Sequence, residues 1–247
     1  MENKLIADRW KNIKKPKVLI ATITSEANAH CQSQWLGRVL FLHEHYDVVI
    51  FENSDTEDNY NRLKSTVHNF SNIMIKRGKI GQKFIMNRII DNRNLVLKYI
   101  RKHKEYDYIM MLDSDIFPPP SVISAFFKNR KKMDIQCALC FVTINGSDKT
   151  PALNFFKEDI ESGKAMEYIQ TRKPDTVKIA QNGMGCVFIN ADILRKYKSL
   201  KFYNKIIKNK RGKKLMNEDL TFTENLRLKG YDLNLHLNLE CSHLMKN

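Results

Sequence analysis

Short apolar runs of strand length alternate with longer segments of helical periodicity over most of the chain. Residues 17–23, 47–52 and 72–75 are predicted strands, because each run is short, apolar and bounded by polar residues. The segments between them carry apolar residues at helical spacing, with Trp35 and Leu63 on their predicted inner faces. This alternation predicts an α/β fold with a doubly wound, mostly parallel central sheet and helices on both faces.

The most informative apolar run, residues 106–112, ends abruptly in two acids, Asp113 and Asp115. It predicts a strand buried on both faces, and the prolines at 118–120 stop it. Residues two apart on extended chain point to the same side, so both carboxylates aim beyond the strand's carboxyl end, where open α/β sheets bind ligands. Neighbouring carboxylates repel each other, and Mg²⁺ or Mn²⁺ would relieve that repulsion. A turn whose acids cap the following helix is the alternative.

The helix predicted from about residue 84 to 103 carries a cation within its apolar stripe. Arg93 lies on that stripe, and a guanidinium is almost never buried without a partner. It either pairs with an acid such as Asp107 or Asp113, or it faces a ligand at the strand ends. Arg88, one turn earlier, is placed for the same purpose.

Two segments in the second half place flexible or acidic residues at the ends of elements. The glycines in the segment 183–185 precede a predicted strand, and they permit either φ > 0 or close approach of a ligand, although a plain tight turn fits equally well. Glu218 and Asp219 begin a helix that ends at Gly230. The helix dipole favours acids there, so simple capping is one interpretation, and an acid directed inward for chemistry is the other.

Taken in chain order, these features resemble the GT-A glycosyltransferases, in particular family 2-like enzymes, and the resemblance covers about residues 17–244. In that family a DxD motif, matched here by Asp113-Ser114-Asp115, holds a metal on the diphosphate of a nucleotide sugar. In several GT-A families a histidine after the last strand completes the metal site. The resemblance therefore implies Mn²⁺ or Mg²⁺ as cofactor, held by Asp113, Asp115 and His243, with His236 a weaker candidate.

The resemblance also implies roles for residues outside the metal site. Those expected to bind the nucleotide sugar are Thr22, Glu52, Arg88, Arg93, Asp113 and Ser114. Those expected on the acceptor side are Gly183, Met184 and Gly185. Asp219 is the expected catalytic base, with Glu218 as its neighbour. The implied activity is transfer of a sugar from a nucleoside-diphosphate sugar, with a UDP-sugar favoured, to a glycan, lipid-linked or protein acceptor.

The net charge of the chain bears on its expected binding partners and on other function classes. Lys and Arg number 42 against 27 acids, a net charge of +15, which favours phosphorylated ligands, nucleic acid or anionic membrane. The basic run 205–214 is interpreted as a solvated loop, with a phosphate lid or peripheral contact with anionic lipid as alternatives. Aromatic residues are not interleaved with it, so nucleic acid is not an expected partner. A sugar nucleotidyltransferase and a non-catalytic nucleic-acid-binding protein are the other classes considered, and the former lacks its Gly-rich signature here.

Composition and chain organisation set the remaining expectations. Hydrophobic content of 43% favours a globular protein, and five cysteines without framework spacing favour a reduced compartment. Cys137 and Cys140 face opposite ways on a predicted strand, so a zinc knuckle is not expected. With no run of about 20 apolar residues, we expect a cytoplasmic protein. A basic arm at 1–16 would precede one catalytic domain at 17–247, with a nucleotide-sugar half at about 17–118 and an acceptor half at about 119–247.

Overall fold

The computed structural model describes residues 16–43, 46–81, 84–129, 133–144, 148–151, 171–209 and 212–244. The predicted N-terminal arm, apart from Pro16, and a helix predicted at about 151–163 fall almost entirely outside these residues. In chain order, the helices and strands are β1 Val18–Thr24, α1 Ala29–His43, β2 Asp47–Glu52, α2 Asp58–Thr66, β3 Ile73–Arg77, α3 Ile85–Lys102, β4 Tyr108–Leu112, β5 Ile116–Phe117, α4 Val122–Asn129, β6 Ile135–Ile144, β7 Asp148–Pro151, β8 Thr176–Ile179, β9 Cys186–Asn190, α5 Ala191–Lys196, β10 Lys205–Asn209, β11 Gly212–Met216, α6 Glu218–Leu228 and β12 Leu233–Leu244.

The first half of the chain forms one parallel part of the main sheet, and β6 pairs in parallel with β12 in the second half. The strand order is β3-β2-β1-β4-β9-β6-β12-β5, with β7 beside β6 and β8 beside β12. β2 pairs in parallel with β1 and β3, and β1 pairs in parallel with β4. The apolar runs that predicted β1, β2 and β4 are buried on both faces, as is typical of parallel sheets, whereas the edge strand β3 is partly exposed. The α/β class and a Rossmann-like parallel half are thus confirmed.

The central sheet is mostly parallel, as predicted, but it is mixed, because several of its described strand pairs are antiparallel. β9 runs antiparallel to both of its neighbours, β4 and β6. It starts at the edge where β4 ends, since Leu112 is opposite Cys186 and the Asp113 amide donates to the Gly185 carbonyl at 3.0 Å. A strand that enters a sheet at that edge has to run back along its neighbour. Burial on both faces does not reveal this direction, so the sequence pattern did not indicate it.

Helices cover both faces of the sheet. Leu19 and Ala21 of β1 belong to one buried cluster with Val96, Leu97 and Ile100 of α3. Val18 and Ile20, the alternate residues of β1, belong to a second cluster on the other face, with α1, α2 and α4. Complete burial of one such side chain contributes about 1.5–3 kcal/mol, so these two layers hold the strand ends in fixed positions.

The basic run forms a two-stranded antiparallel hairpin, β10–β11, where a loop was expected. Ile206 lies opposite Leu215, and these side chains are 66% and 60% exposed. Residues 210–211 lie outside the described part of the chain. Contact of this hairpin with anionic lipid stays a prediction. Among the residues that the structure describes, no helix has the length and apolar character needed to cross a bilayer.

Candidate active site

A cavity of about 520 Å³ opens at the carboxyl ends of β1, β2 and β4, the edge at which the sequence predicted a ligand. The loops after these strands and the start of α3 supply its walls. Its lining consists of residues 23–28, Asn53, Asp55, Ile85, Arg88, Ile89, Arg93 and residues 113–115. Ser114 joins two of these loops, because its hydroxyl accepts a hydrogen bond from the Asn28 amide at 2.5 Å. A ligand in this cavity would therefore contact loops that are already fixed to one another.

Thr22 lies below the cavity and not in its wall. Its buried hydroxyl donates to the Leu112 carbonyl, which ties β1 to β4. β1 continues to Thr24, one residue beyond the predicted strand, and Thr24 lines the cavity. The structure thus gives Thr22 a role within the sheet, because the strand is longer than the apolar pattern suggests.

Glu52 is fully buried and shapes the loop after β2. Its carboxylate accepts hydrogen bonds from Ser54 at 2.9 Å and from the Asn59 side chain at 3.0 Å, and it forms an ion pair with Arg77. These contacts hold the loop that presents Asn53 and Asp55 to the cavity. The structure gives Glu52 the task of positioning that loop, and the residues that follow it line the cavity.

Arg88 closes this side of the cavity. Its guanidinium donates to the Asn53 carbonyl at 3.2 Å and to the Asp55 carboxylate at 2.7 Å. The Asp55 side chain is 63% exposed, so this ion pair is at the cavity rim and is open to exchange with a ligand.

Arg93 connects the cavity to the acidic start of α6. One amino group contacts both carboxylate oxygens of Asp113 at 3.0 and 3.1 Å. The other lies 3.4 Å from a Glu218 oxygen and in contact with Asp219. Arg93 and Glu218 are buried, and Arg93 also lines the cavity. We call Arg93, Asp113, Glu218 and Asp219 the inner cluster. Of the partners expected for Arg93, Asp113 is found, whereas Asp107 binds the Lys17 amide.

Backbone contacts fix the acids of the inner cluster. Asn217 caps α6, because its side chain accepts a hydrogen bond from the Leu220 amide at 3.2 Å, and this places Glu218 and Asp219 in the first turn. The Asp219 carboxylate accepts from the Met184 amide at 3.2 Å. Gly185 in turn accepts from the Asp113 amide. The segment 183–185 thus bridges the two acidic segments, and the Met184 side chain is buried in the core.

The need for glycine at 185 comes from close packing. A Cβ there would lie 3.1 Å from the Ile116 side chain, and positive φ values among the described glycines occur at Gly81 and Gly230. Gly183 faces Asp219, and a Cβ there would lie 3.7 Å from its carboxylate. The sequence offered φ > 0 or close approach of a ligand as explanations for these glycines, and at Gly185 the structure shows instead close packing against the Ile116 side chain.

Asp115 and His243 form a separate pair, which we call the outer pair. His243 Nε2 lies 3.2 Å from an Asp115 carboxylate oxygen, and both side chains are a little over one quarter exposed. β12 brings them together, because His243 lies opposite Ile116 in the antiparallel pairing with β5. The hydrogen bond to Asp115 raises the pKa of His243 above its ordinary value, against the opposing effect of burial.

Negative charge exceeds positive charge at the centre of the site. Four carboxylates, from Asp113, Asp115, Glu218 and Asp219, surround one guanidinium and one imidazole. Burial raises the pKa of Asp113, and the Asp115 charge adds to the rise while Arg93 opposes it. Such an excess of carboxylates favours a divalent cation.

The donor set suits a cation that also binds a ligand. No trio of His, Cys, Asp or Glu side chains in the described residues is arranged to hold a metal alone. Asp115 and His243 supply two donors, and Mg²⁺ or Mn²⁺ commonly takes one or two protein carboxylates together with substrate phosphates. The Asp113 carboxylate is directed to Arg93, so its contribution to the site is the ion pair within the inner cluster. The residues present therefore fit a metal completed by a diphosphate.

His236 is a structural residue. Its Nε2 lies 2.8 Å from the Gln136 side-chain oxygen, and the Gln136 amide nitrogen donates to the Phe126 carbonyl at 3.0 Å. Since the Gln136 oxygen can only accept, His236 Nε2 carries the hydrogen. Burial lowers the pKa of His236 to about 4. A neutral histidine with this partner belongs to the core.

The sequence predictions missed several residues of the cavity wall. Thr24, Asn28, Asn53 and Asp55 line it, but the sequence pattern marked only the polar segments that contain them. The end of β1 was predicted one residue early, so Thr22 was expected in the cavity wall, whereas β2 ends at Glu52, as predicted, and its cavity residues follow Glu52. The polar residues directly after β1 and β2 were the available signal.

The chain matches no protein-family model and no curated protein. It is similar in structure to A197 from STIV, with a TM-score of 0.52 and 15% identity over 93% of this chain and 86% of that one. It is also similar to S. aureus TarS 1-349 in complex with UDP-GlcNAc, with a TM-score of 0.55 and 14% identity over 94% of this chain. This chain spans 60% of that TarS fragment and 37% of a longer TarS chain. Likeness at such identities shows a shared fold.

Proposed function

We propose that this protein is a metal-dependent glycosyltransferase that moves a sugar from a nucleoside-diphosphate sugar, with a UDP-sugar favoured, to a hydroxyl acceptor. The observation that carries the proposal is the inner cluster. It joins the cavity at the strand ends to an acid at the start of α6, so a donor and an acceptor would meet at one charged centre. The fold shared with TarS, which was solved in complexes with UDP-GlcNAc and with UDP, supports a nucleotide-sugar donor.

The nucleoside would occupy the cavity between the loops after β1 and β2. Thr24, Asn28 and Asn53 offer hydrogen-bonding groups there, and Ile85 offers an apolar wall. Arg88 would bind ribose or phosphate oxygens by exchanging its contact with the exposed Asp55 carboxylate. A planar guanidinium at the cavity rim suits phosphate recognition.

The diphosphate would lie next to Asp115 and His243. These residues would hold Mn²⁺ or Mg²⁺, which when bound supplies charge neutralisation for the leaving diphosphate. Asp113 would orient the donor through its contact with Arg93, and the position of Arg93 in the cavity wall keeps its charge close to the phosphates. Ser114, fixed by Asn28, would hold the turn between the two acids.

Asp219 would remove the proton from the acceptor hydroxyl. One carboxylate oxygen accepts from the Met184 amide and the other contacts Arg93, which fixes the group at the edge of segment 183–185. Proton removal during attack contributes about 10²–10⁴-fold to such reactions. Glu218, behind it and more deeply buried, would balance Arg93. A base on the acceptor side implies direct displacement with inversion at the anomeric carbon.

The decisive measurement is thermal stabilisation by UDP, GDP, CMP and dTDP, each with and without Mn²⁺. A ligand present at about 100 times its Kd stabilises the folded state by about 2.7 kcal/mol. We expect stabilisation by UDP with Mn²⁺, loss of it in Asp115→Asn, and no change in Asp58→Asn, a control on the exposed first turn of α2. Metal-dependent binding that survives in Asp115→Asn would exclude this metal site, and no stabilisation by any of the four nucleotides would exclude the proposed donor.

A further inference from the structure

A second concave site lies far from the proposed active site. Its volume is about 640 Å³, within the range of small-ligand sites. It is lined by Lys98, Arg101, Lys102, Lys104, Arg195 and Lys198. Arg88 and Arg101 are thirteen residues apart on α3, which corresponds to about 20 Å along a helix. The two sites therefore lie near opposite ends of this helix.

The two arginines form a fixed floor. Arg101 donates to the carbonyls of Leu194 at 2.9 Å and Leu200 at 2.6 Å, at the end of α5. Arg195 donates to the carbonyls of His103 at 2.9 Å and Tyr106 at 2.6 Å. Carbonyl groups carry no formal charge, so these bonds hold both guanidinium groups in place and add no counter-charge, although Arg195 also pairs with Asp192.

The four lysines are exposed cations around this floor. Lys98, Lys102, Lys104 and Lys198 are each exposed, and no carboxylate of the described residues forms an ion pair with any of them. Lys79, Lys178 and Lys205, by contrast, each pair with an acid.

Helix dipoles and nearby acids do not balance this charge. α3 and α5 both end here, and a helix carboxyl terminus carries about −0.5 charge, or less for a helix as short as α5. The acids at the rim are Asp192, which pairs with Arg195, and Glu105, which binds His103. Set against six cationic side chains, these contributions leave about three positive charges in excess.

We propose that this basic site binds a compact ligand with two or more phosphate groups. The excess charge demands an anion with several charges, and the concave shape limits its size. Lysine ammonium groups act as mobile point charges that can gather around phosphate oxygens, while the fixed arginines below them give the ligand a defined position. The proposal is independent of the glycosyltransferase assignment, because it uses no residue of the active-site cavity.

Isothermal titration calorimetry with sodium triphosphate tests this site. The full chain is titrated in EDTA at constant ionic strength, so that metal-assisted binding at the active-site cavity does not contribute. The test variant combines Lys98→Gln, Lys102→Gln, Lys104→Gln and Lys198→Gln. The control combines Lys64→Gln, Lys79→Gln, Lys128→Gln and Lys173→Gln, which removes the same net charge outside the basic site.

The expected result is one binding site whose Kd rises at least about tenfold in the test variant and less than about twofold in the control. Asp115→Asn should keep full triphosphate binding. In the wild-type chain, triphosphate should also protect Lys98 and Lys102 from acetylation while the exposed Lys64 of α2 stays reactive, a readout that needs no variant to fold. No binding, or equal weakening in both variants, would overturn the proposal. So would tighter binding of a 20-nucleotide single strand that the test variant loses, since the ligand would then be nucleic acid.

Discussion

Asp113 and Asp115 follow the same strand, two residues apart, yet they lie in two regions that differ in how the charges of their side chains are compensated. Asp113 belongs to the inner cluster, where Arg93 is buried and contacts carboxylates from two parts of the chain. Asp115 belongs to the outer pair, where both side chains keep contact with solvent and have one partner each. Arg93, Glu218 and Asp219 of the inner cluster are largely enclosed by protein groups, whereas Asp113 and the outer pair are each more than one quarter exposed, and the outer pair has room for added ligands.

The difference shows how one short motif can serve two purposes. Removing a charge from water is costly unless partners compensate, so the buried region has to supply its own counter-charge. A partly exposed pair such as Asp115 and His243 loses less of its hydration on folding and can exchange partners when a ligand arrives. We therefore expect variants of the inner cluster to change stability strongly, and variants of the outer pair to change binding with little loss of stability.

Replacing Arg93 should have the largest effect. Arg93→Leu leaves Glu218 and Asp219 buried without their cation, which should lower the free energy of unfolding by about 3–5 kcal/mol in urea denaturation. Adding Glu218→Gln and Asp219→Asn to this variant should restore much of the loss. Arg88→Leu, whose partner Asp55 is exposed, is the matched control and should cost less than about 1 kcal/mol. Equal losses in the two single variants would remove the distinction between closed and open regions.

His236 tests the same rule on a buried group whose burial is only partly offset by the charge of nearby Asp175. Its pKa is lowered to about 4 by burial, so the unfolded chain takes up a proton at higher pH than the folded chain does. The contribution of this residue to stability should be complete above about pH 6.5 and should fall by about 3 kcal/mol as the pH drops to about 4. His236→Gln keeps a hydrogen donor for Gln136 and does not titrate. Its unfolding free energy should decline less steeply over this range, and parallel curves for variant and wild type would contradict the assignment.

Asp219→Asn separates chemistry from binding within the inner cluster. The side chain keeps its shape and loses its capacity to take a proton, so transfer should fall by at least about 10²-fold. Metal-dependent UDP binding should stay close to that of the wild type. Glu218→Gln is the neighbouring control. If Glu218→Gln loses turnover and Asp219→Asn keeps it, the base is Glu218, and full activity in both would place the base elsewhere.

The smallest expected effect comes from a helix cap. Asn217→Ala removes the hydrogen bond to the Leu220 amide and should cost about 1 kcal/mol of stability. Asn190→Ala removes an equivalent cap from α5, where Asn190 accepts from the Asp192 amide at 3.0 Å, and should cost about the same. Only Asn217→Ala should also slow transfer, because α6 carries Glu218 and Asp219. An equal effect on turnover would mean that the cap acts through overall stability.

Most of the local structure could be predicted from the amino-acid sequence. The helix predicted at 84–103 is found at Ile85–Lys102, and the strand predicted at 135–144 is found with those bounds. Apolar periodicity and the polar, Gly and Pro residues at the ends of elements are local properties of the sequence. The apolar faces have to be buried against the sheet, so these patterns largely determine the helices and strands. The same patterns placed the ligand cavity at the ends of the first strands, because parallel strands bring their carboxyl ends to one edge.

Which charges meet, and which way the later strands run, depends on tertiary packing. Arg93 was predicted to need an acid, but Glu218 and Asp219 lie more than a hundred residues away along the chain, and no local pattern fixes that distance. The antiparallel course of β9 likewise depends on where the preceding segment delivers the chain. The basic site at 98–104 and 195–198 also joins two distant helix ends. Periodicity indicates that a face is buried, whereas the identity of the partner depends on how all the elements pack together.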